Sequence, residues 1–390
     1  MKSPTRRTFL QGLAAAPLAA ALRGQAANAP AGPLLVMVYL YGGNDAYNTW
    51  IPYTDPLYAK VRPDIAIPRD SVIRITDHHG FHPSLAPLVP VWEAKELALV
   101  QGLGYPNCTQ QHYRDGDTAF TGYDGEDYST EGWVSKALAK RARRGREDAI
   151  AFDVLDVREA DPMGPFRGNK LGCVQVYYGA DLLVKRKLSS CVFEANPLGQ
   201  AALANTPDLP VTPLKTSFPT DPFGQAMRAA VEIADHDIDL PVIHVALNGL
   251  NEDKHHSVDC HWEQLKWHGD ALSRLSNGLA ALRAGLMEIG RWDDTLIVTY
   301  DEFGRCPTQN DDKGTHHGHA TTHFVMGGRV KGGLIGEAPR IVEMFPKIGG
   351  PEPTIDTRRL WTTVIERFWK ADAAGVFPQR HKPIEGLLKA

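Results

Sequence analysis

Apolar residues along the chain fall into short runs of strand length that alternate with segments of helical periodicity. The runs are rich in β-branched residues, which is typical of strands in a buried sheet. Their alternation with helical segments predicts an α/β fold, doubly wound, with a mostly parallel sheet and helices on both faces. The predicted strands are Leu34–Tyr41, Ala98–Gln101, Ala149–Leu155, Val174–Tyr178, Val242–Leu247, Thr295–Tyr300 and His323–Met326.

The clearest predicted helix follows His261, where leucines recur three and four residues apart and form one apolar stripe. His268 lies on that stripe, so we expect it to be a hydrogen-bonded core histidine. Gly290 ends the helix, and residues 292–294 lead into the strand at Thr295. The stripe consists of Leu265, Leu272, Leu275, Leu279, Leu282 and Leu286.

Residues 196–222 are rich in Pro, Thr and Ala and have no clean period, which predicts a long loop or a cover over the sheet edge. The sequence contains no internal repeat. With 390 residues, 43% of them apolar, the chain is long enough for one large core. We therefore interpret residues 30–390 as one domain.

Residues 1–29 have the pattern of a twin-arginine export signal, because Arg6-Arg7 precedes the apolar run Leu13–Leu22. The run is too short to span a bilayer, which takes about 20 residues. Ala27-Asn28-Ala29 has the small-x-small form of a cleavage site, with cleavage after Ala26 as the alternative because Pro30 follows. We expect a periplasmic or secreted protein that engages the twin-arginine export machinery and has no stable membrane span.

The formal net charge is −4, from 42 basic and 46 acidic residues. Four of the bases and none of the acids lie in residues 1–29, so removal of the signal doubles the excess of acids. A nucleic-acid-binding protein needs a basic face to displace counterions from phosphates. The composition therefore predicts no nucleic-acid partner.

The chain has five cysteines, an odd number in a compartment that permits disulfides. Three of them, Cys108, Cys260 and Cys306, lie in or beside the polar motifs described next. A disulfide or a free thiol near those motifs is therefore possible. An oxidoreductase that uses a metal with Cys108 or Cys260 is the weakest functional class, because no dinucleotide-binding glycine pattern follows any predicted strand.

Four polar clusters follow predicted strands, at the ends where ligands bind in open α/β sheets, and a fifth precedes the last predicted strand. Any one cluster alone fits a helix cap or a solvated loop, but together they offer carboxylates and imidazoles. That mixture suits zinc, manganese or iron, whereas calcium prefers oxygen alone. The clusters are Gly42-Gly43-Asn44-Asp45, Gly104–Tyr113, Asp259-Cys260-His261, Asp301–Arg305 and Gly314–His319.

The order of these motifs resembles the bacterial secreted family called domain of unknown function 1501, which is placed in the alkaline phosphatase-like superfamily. The resemblance covers nearly the whole chain and implies an alkaline phosphatase-like core. Besides the clusters above, it includes the twin-arginine signal, Pro52-Tyr53, Phe81-His82-Pro83 and Val330-Lys331-Gly332-Gly333.

The resemblance implies a site for one or two divalent ions, zinc or manganese. It implies that Asp259, His261 and His317 form one metal site, and that Asp45 and Glu302 face a second metal or polar position. The implied reaction is hydrolysis of a phosphate or sulfate ester, small or polymeric. In that reaction a metal-activated hydroxyl attacks the ester, while the metal and Arg305 stabilise charge on the transferred group.

The sequence departs from the family pattern at the nucleophile. The family has Ser-His-Phe where this chain has Gln111-His112-Tyr113, and an amide cannot replace a hydroxyl nucleophile. Thr109 or a metal-bound water are the alternatives, so Thr109, Gln111, His112 and Arg305 are the candidate catalytic residues.

Two further departures affect the second metal position. His316, counted among the expected metal ligands, stands where the family has Asp, and residues 248–257 resemble an insertion. The leading hypothesis is an exported metallohydrolase. The alternative is a non-catalytic binding or assembly protein that retains the metal on a phosphatase-like scaffold, which the missing serine favours.

Overall fold

The computed structural model describes residues 32–126, 128–140, 149–153, 164–167, 173–177, 213–235, 241–247, 257–341 and 349–389. Three predictions fall largely outside these residues. The export signal at 1–29 lies wholly outside them, as does most of the loop predicted at 196–222, although residues 213–221 are described and are non-helical. The predicted insertion at 248–257 also lies outside, apart from its last residue.

A nine-stranded sheet forms the centre of the described chain. In chain order, the described strands are β1 (Leu34–Leu40), β2 (Trp50–Ile51), β3 (Ile73–Arg74), β4 (Gly80–Phe81), β5 (Leu97–Gly104), β6 (Ala149–Asp153), β7 (Cys173–Tyr177), β8 (Val242–Leu247), β9 (Thr295–Tyr300), β10 (Arg305–Gln309), β11 (Thr315–His317), β12 (Thr321–Met326), β13 (Gly333–Ile335) and β14 (Ile355–Asp356). Their order in the central sheet is β13-β5-β12-β9-β1-β8-β6-β7, with β14 also paired to β5.

Strand β1 lies in the middle of this sheet and pairs in parallel with β8 and β9. The pairs β6–β7, β6–β8, β5–β13 and β5–β14 are parallel as well, whereas β12 runs antiparallel to both β5 and β9. The prediction of a mostly parallel sheet is therefore confirmed. Each of the seven predicted strands overlaps an observed strand.

The described helices are α1 (Ala46–Thr49), α2 (Pro56–Val61), α3 (Val89–Glu93), α4 (His112–Thr121), α5 (Trp133–Leu138), α6 (Pro222–Ala234), α7 (Gln264–Glu288) and α8 (Thr357–Thr363). Helix α7 is the helix predicted after His261. Gly290 follows it with φ +71°, and the 3₁₀ turn Trp292–Asp294 leads into β9 as expected. No helix among the described residues is long and apolar enough to cross a bilayer.

Both faces of the sheet are covered, because successive side chains of β1 enter two different cores. Val36 and Val38 pack in the core that includes buried residues of α6 and α7. Met37 and Tyr39 pack in the core that includes buried residues of α5 and α8. The predicted α/β class with helices on both faces is confirmed.

The carboxyl ends of β1, β5, β8 and β9 meet at one edge of the sheet because these strands are parallel. The antiparallel strand β12 begins at that same edge, so the segment before it, residues 314–319, arrives there too. The polar motifs that are far apart in the sequence are therefore brought to one place.

Candidate metal centre

The carboxylate of Asp259 lies at the centre of a cluster of imidazoles. Its Oδ1 is 3.1 Å from His261 Nε2 and 3.4 Å from His317 Nε2, and its Oδ2 is 3.6 Å from His112 Nε2. The two nitrogens His261 Nε2 and His317 Nε2 are 2.9 Å apart. Ligand atoms of His112, Asp259 and His317 all lie within 4.8 Å of one another, a spacing that allows them to share one metal ion.

The outer nitrogens of two of these imidazoles are bonded to oxygen acceptors. His317 Nδ1 lies 2.7 Å from the main-chain oxygen of Gln110, which can only accept, so Nδ1 is the protonated nitrogen. His112 Nδ1 lies 2.8 Å from Glu302 Oε1. Both rings therefore turn Nε2 toward Asp259 while Nδ1 contacts an outer acceptor, the arrangement that orients histidine ligands around metals.

The cluster is partly open to solvent. The side chains of His317, His112, Asp259 and His261 are 16%, 23%, 26% and 30% exposed. A core histidine would be covered on every side, so this exposure distinguishes the cluster from packing residues. Solvent can therefore reach the cluster.

Electrostatics favour a carboxylate at the centre. Burial would raise the pKa of Asp259, but hydrogen bonds with His261 and His317 and the charge of Arg305 outweigh it and hold that pKa well below its usual range. Burial lowers the pKa of His317. For His112, burial opposes the charged form, yet the hydrogen bond and charge of Glu302 and the charge of Asp259 raise the pKa overall.

A glycine turn allows Asp259 to approach the end of β1. A Cβ atom at Gly42, which has φ +103°, would lie 2.3 Å from Asp259 Cβ. Only glycine suits this backbone at this distance. The Gly42-Gly43 turn predicted from the sequence therefore brings β1 against the metal-site candidate rather than only exposing an acid.

Arg305 is 1% exposed, and its guanidinium connects several segments of the site. Its guanidinium donates to the main-chain oxygens of Gly43 at 3.1 Å, Thr315 at 3.0 Å and Gly42, and also to Asp259 Oδ1. Sequence reasoning expected Arg305 to stabilise charge on the substrate. In the structure the guanidinium instead donates to protein oxygens. Arg305 therefore positions Asp259 and the glycine turn.

Asp45 lies outside the cluster, contrary to its expected place at a second metal position. Its carboxylate accepts from Arg62 Nη1 at 2.6 Å and Nη2 at 3.1 Å, from the amide of Gln264, and from the main-chain nitrogen of Tyr47 at 3.0 Å. Burial would raise the pKa of Asp45, but the Arg62 charge and hydrogen bonds lower it. Both of its oxygens are thus occupied in capping α1 and pairing with Arg62.

Glu302 does lie beside the cluster, and it contacts His112 rather than Asp45. It is 1% exposed, and its Oε1 accepts from the main-chain nitrogen of Gly42 at 2.8 Å as well as from His112. Its Oε2 makes no well-formed hydrogen bond within the described chain.

The remaining candidates stand at the rim of the site. His316 is exposed, and its ring centroid is 6.3 Å from that of His261. Gln111 is exposed and is the N-cap residue of α4, without a capping bond from its side chain. Thr109 is exposed, and its hydroxyl donates to Asp115 Oδ1 at 3.1 Å.

Sequence reasoning missed Asp115, which organises the loop before α4. Its carboxylate accepts from the main-chain nitrogens of Thr109 at 2.8 Å and Gln111 at 3.0 Å, and from the Cys108 thiol at 3.4 Å. These bonds stabilise a loop in which Gln110 has φ +62° and directs its carbonyl to His317. Asp115 lies in the first turn of α4, and an acidic residue at a helix N-terminus is a signal that could have found it.

The three cysteines at the site are free thiols. Burial raises the pKa of Cys260 to about 12, and burial with the Asp115 charge raises that of Cys108 still more. Both are therefore protonated at neutral pH, which disfavours thiolate chemistry. Cys191 and the side chain of Cys173 lie outside the described residues.

Part of the chain matches the sequence model of a known protein family. The model described as "Protein of unknown function (DUF1501)" matches residues 212–344, which include Asp259, His261, Glu302 and His317. The predicted resemblance to this family is confirmed. The matched segment excludes His112 and β1, so it covers only part of the candidate site.

Several solved structures are distantly similar to the chain. The phosphonate monoester hydrolase SpPMH from Silicibacter pomeroyi is 10% identical, with a TM-score of 0.46 over 89% of this chain and 75% of that one. The PsFucS1 sulfatase from Pseudoalteromonas sp. is 13% identical, with a TM-score of 0.41 over 93% and 73%.

A protein in the alkaline phosphatase superfamily from Vibrio parahaemolyticus is 9% identical, with a TM-score of 0.41 over 87% of this chain and 67% of that one. No curated protein sequence matches the chain.

Proposed function

We propose that the protein is an exported, metal-dependent hydrolase of phosphate or sulfate esters, small or polymeric. The observation that carries the proposal is the convergence of His112, His261 and His317 on the single carboxylate of Asp259. Three imidazole nitrogens and one carboxylate form a donor set that suits zinc or manganese. The ester class follows from the resemblance of the motif order to the alkaline phosphatase-like superfamily.

Asp259, His261 and His317 would hold the metal, with His112 as a fourth ligand. The fit is supported by the bonds from His112 and His317 to Glu302 and Gln110, since outer acceptors of this kind fix histidine ligands. A divalent ion at this position supplies Lewis-acid polarisation of the ester and lowers the pKa of water.

Water is the proposed nucleophile. Gln111, which replaces the serine of the family, carries no nucleophilic group, and the exposed Thr109 hydroxyl donates to Asp115, a residue outside the imidazole cluster. The Cys108 thiol is held protonated by burial. The protein's own contribution is therefore to bind the ester at the exposed side of the cluster and to orient water there.

Export by the twin-arginine route is the proposed path to the periplasm or beyond. It is supported by Arg6-Arg7 and the short apolar run that follows. Because this route carries folded proteins, the metal would be acquired before export.

The test is hydrolysis of p-nitrophenyl phosphate and p-nitrophenyl sulfate by the purified protein, before and after chelation and after zinc or manganese is restored. Asp259→Asn keeps the volume of the side chain but removes its charge, and we expect hydrolysis to fall at least about 100-fold. His316→Ala is the control, because His316 lies at the exposed rim. Hydrolysis that survives both chelation and Asp259→Asn would contradict the proposal.

One observation favours a second candidate, a non-catalytic binding or assembly protein that contains the metal. It is the absence of a serine at position 111, where the family places its nucleophile. This candidate predicts stoichiometric metal that depends on Asp259, with no turnover of either ester.

A further inference from the structure

Glu302 is a buried carboxylate whose charge has only one close partner among the described ion pairs. Its side chain is fully buried, and its Oε1 lies 2.8 Å from His112 Nδ1. Removing a carboxylate from water costs several kcal/mol unless a partner compensates for it. The ion pair at this position is made by an imidazole, which is charged only when it is protonated or when its other nitrogen binds a cation.

The His112 ring connects Glu302 to the cluster. One ring nitrogen bonds the Glu302 carboxylate, and the other lies 3.6 Å from Asp259 Oδ2. The ring is also packed between aromatic neighbours. It stacks on Tyr41 with centroids 5.2 Å apart, and it lies edge-on to His317 with centroids 4.5 Å apart.

Glu302 is itself fixed by the backbone. The main-chain nitrogen of Gly42 donates to Oε1 at 2.8 Å, so the oxygen that bonds His112 is held at the end of β1. Its direct neighbour Asp301 is also a buried acid, but it bonds His323, Asn44 and Thr321 instead of any residue of the cluster. Two adjacent buried carboxylates thus face different partners.

We propose that Glu302 is a positioning residue that acts through His112, holding its Nε2 toward the metal and making that nitrogen a stronger ligand. The inference rests on the proposed metal site and assigns to Glu302 a place outside the ligand set. A carboxylate that accepts from the outer nitrogen of a ligand histidine raises the basicity of the inner one, and losing it typically weakens metal binding about 10–100-fold.

The test measures zinc affinity of the full mature chain by competition with a chromophoric chelator. Glu302→Gln keeps an oxygen that can accept from Gly42 and His112 but removes the charge. We expect zinc binding about 10–100-fold weaker than in the wild type, with an unchanged circular dichroism spectrum. Asp301→Asn is the matched control, because it removes a buried charge one residue away and is expected to change affinity much less.

A double-mutant cycle separates positioning from general structural damage. If Glu302 acts through His112, then Glu302→Gln adds no further loss of affinity to His112→Gln. Additive losses, or an equal loss in Asp301→Asn, would overturn the proposal. Should Glu302→Gln fail to fold, Glu302→Asp keeps the charge but shortens the side chain, and it is expected to weaken binding as well.

The stoichiometry distinguishes this inference from the proposed function. A wild type that binds neither zinc nor manganese refutes the metal site itself. A wild type that binds one ion with an affinity unaffected by Glu302→Gln refutes only the role of Glu302. A wild type that binds two ions, one of which is lost in Glu302→Gln, makes Glu302 a direct ligand and overturns its positioning role.

Discussion

At the residue scale, the site depends on which side of a short strand each histidine occupies. His316 and His317 are neighbours on β11, so their side chains point to opposite sides. His317 is bonded to Gln110 and faces Asp259, whereas His316 is exposed to solvent. The pair is therefore a natural comparison for the metal-site proposal.

We predict that His317→Ala weakens zinc binding more than about 100-fold, because it removes one of the four proposed metal ligands. His316→Ala is expected to leave the affinity within about threefold. Isothermal titration with zinc measures both variants. Equal losses in the two would show that the arrangement around Asp259 does not bind the metal.

The sequence allowed Asp259, His261, His317 and Glu302 to be predicted near one another, because each follows or precedes an apolar strand. It did not predict that Asp45 pairs with Arg62, since nothing local in the sequence brings α2 beside the β1 turn. It also assigned His112 only a catalytic role. Glu302, whose contact with His112 favours a role for His112 as a metal ligand, is 190 residues away in the sequence, so the contact could not be predicted from local sequence.

At the element scale, helix α7 supports the glycine turn after β1 through its first two turns. Gln264 bonds Asp45, and His268 Nε2 lies 3.1 Å from Asn44 Oδ1. The predicted role of His268 as a hydrogen-bonded core histidine is confirmed, since it is 1% exposed. Burial lowers its pKa to about 3.

The buried state of His268 predicts acid sensitivity. Between a pH of about 6.5 and about 3 the unfolded chain binds a proton at this histidine and the folded chain does not, so stability falls as the pH falls through this window. We expect His268→Gln to reduce the pH dependence of the free energy of unfolding by about 1.4 kcal/mol per pH unit there.

Urea unfolding at pH 6 and pH 4.5 measures this difference. His78→Gln, the same substitution at an exposed histidine, provides the matched control. A His268→Gln variant with the same pH dependence as the wild type would contradict the assignment of His268 as a neutral core residue.

The Gly42 turn predicts a second effect at this scale. Alanine at Gly42 would place Cβ 2.3 Å from Asp259 Cβ, whereas alanine at Gly290, which also has positive φ, meets nothing within 4 Å. Gly290→Ala is expected to cost about 1–2 kcal/mol of stability from its backbone alone. Gly42→Ala is expected to cost clearly more, and to weaken zinc binding as Asp259 moves. Similar losses at the two glycines, measured by urea unfolding, would argue against the close contact.

At the scale of the whole molecule, the apolar runs were sufficient to predict the sheet and its mostly parallel character. The short strands β13 and β14 carry too few residues for a pattern. The antiparallel direction of β12 was not predicted either, because hydrophobicity sets which residues are buried and not the direction in which a strand runs. That reversal matters for function, since it brings residues 314–319 to the carboxyl ends of the parallel strands.

We propose that this edge of the sheet holds a divalent metal on Asp259 and its histidines. Elemental analysis of the purified mature protein, wild type beside His261→Ala, tests it most directly. We expect about one zinc or manganese per chain, lost in His261→Ala while the variant remains folded. A wild type that is folded and free of metal would contradict it, and so would an equal metal content in both proteins.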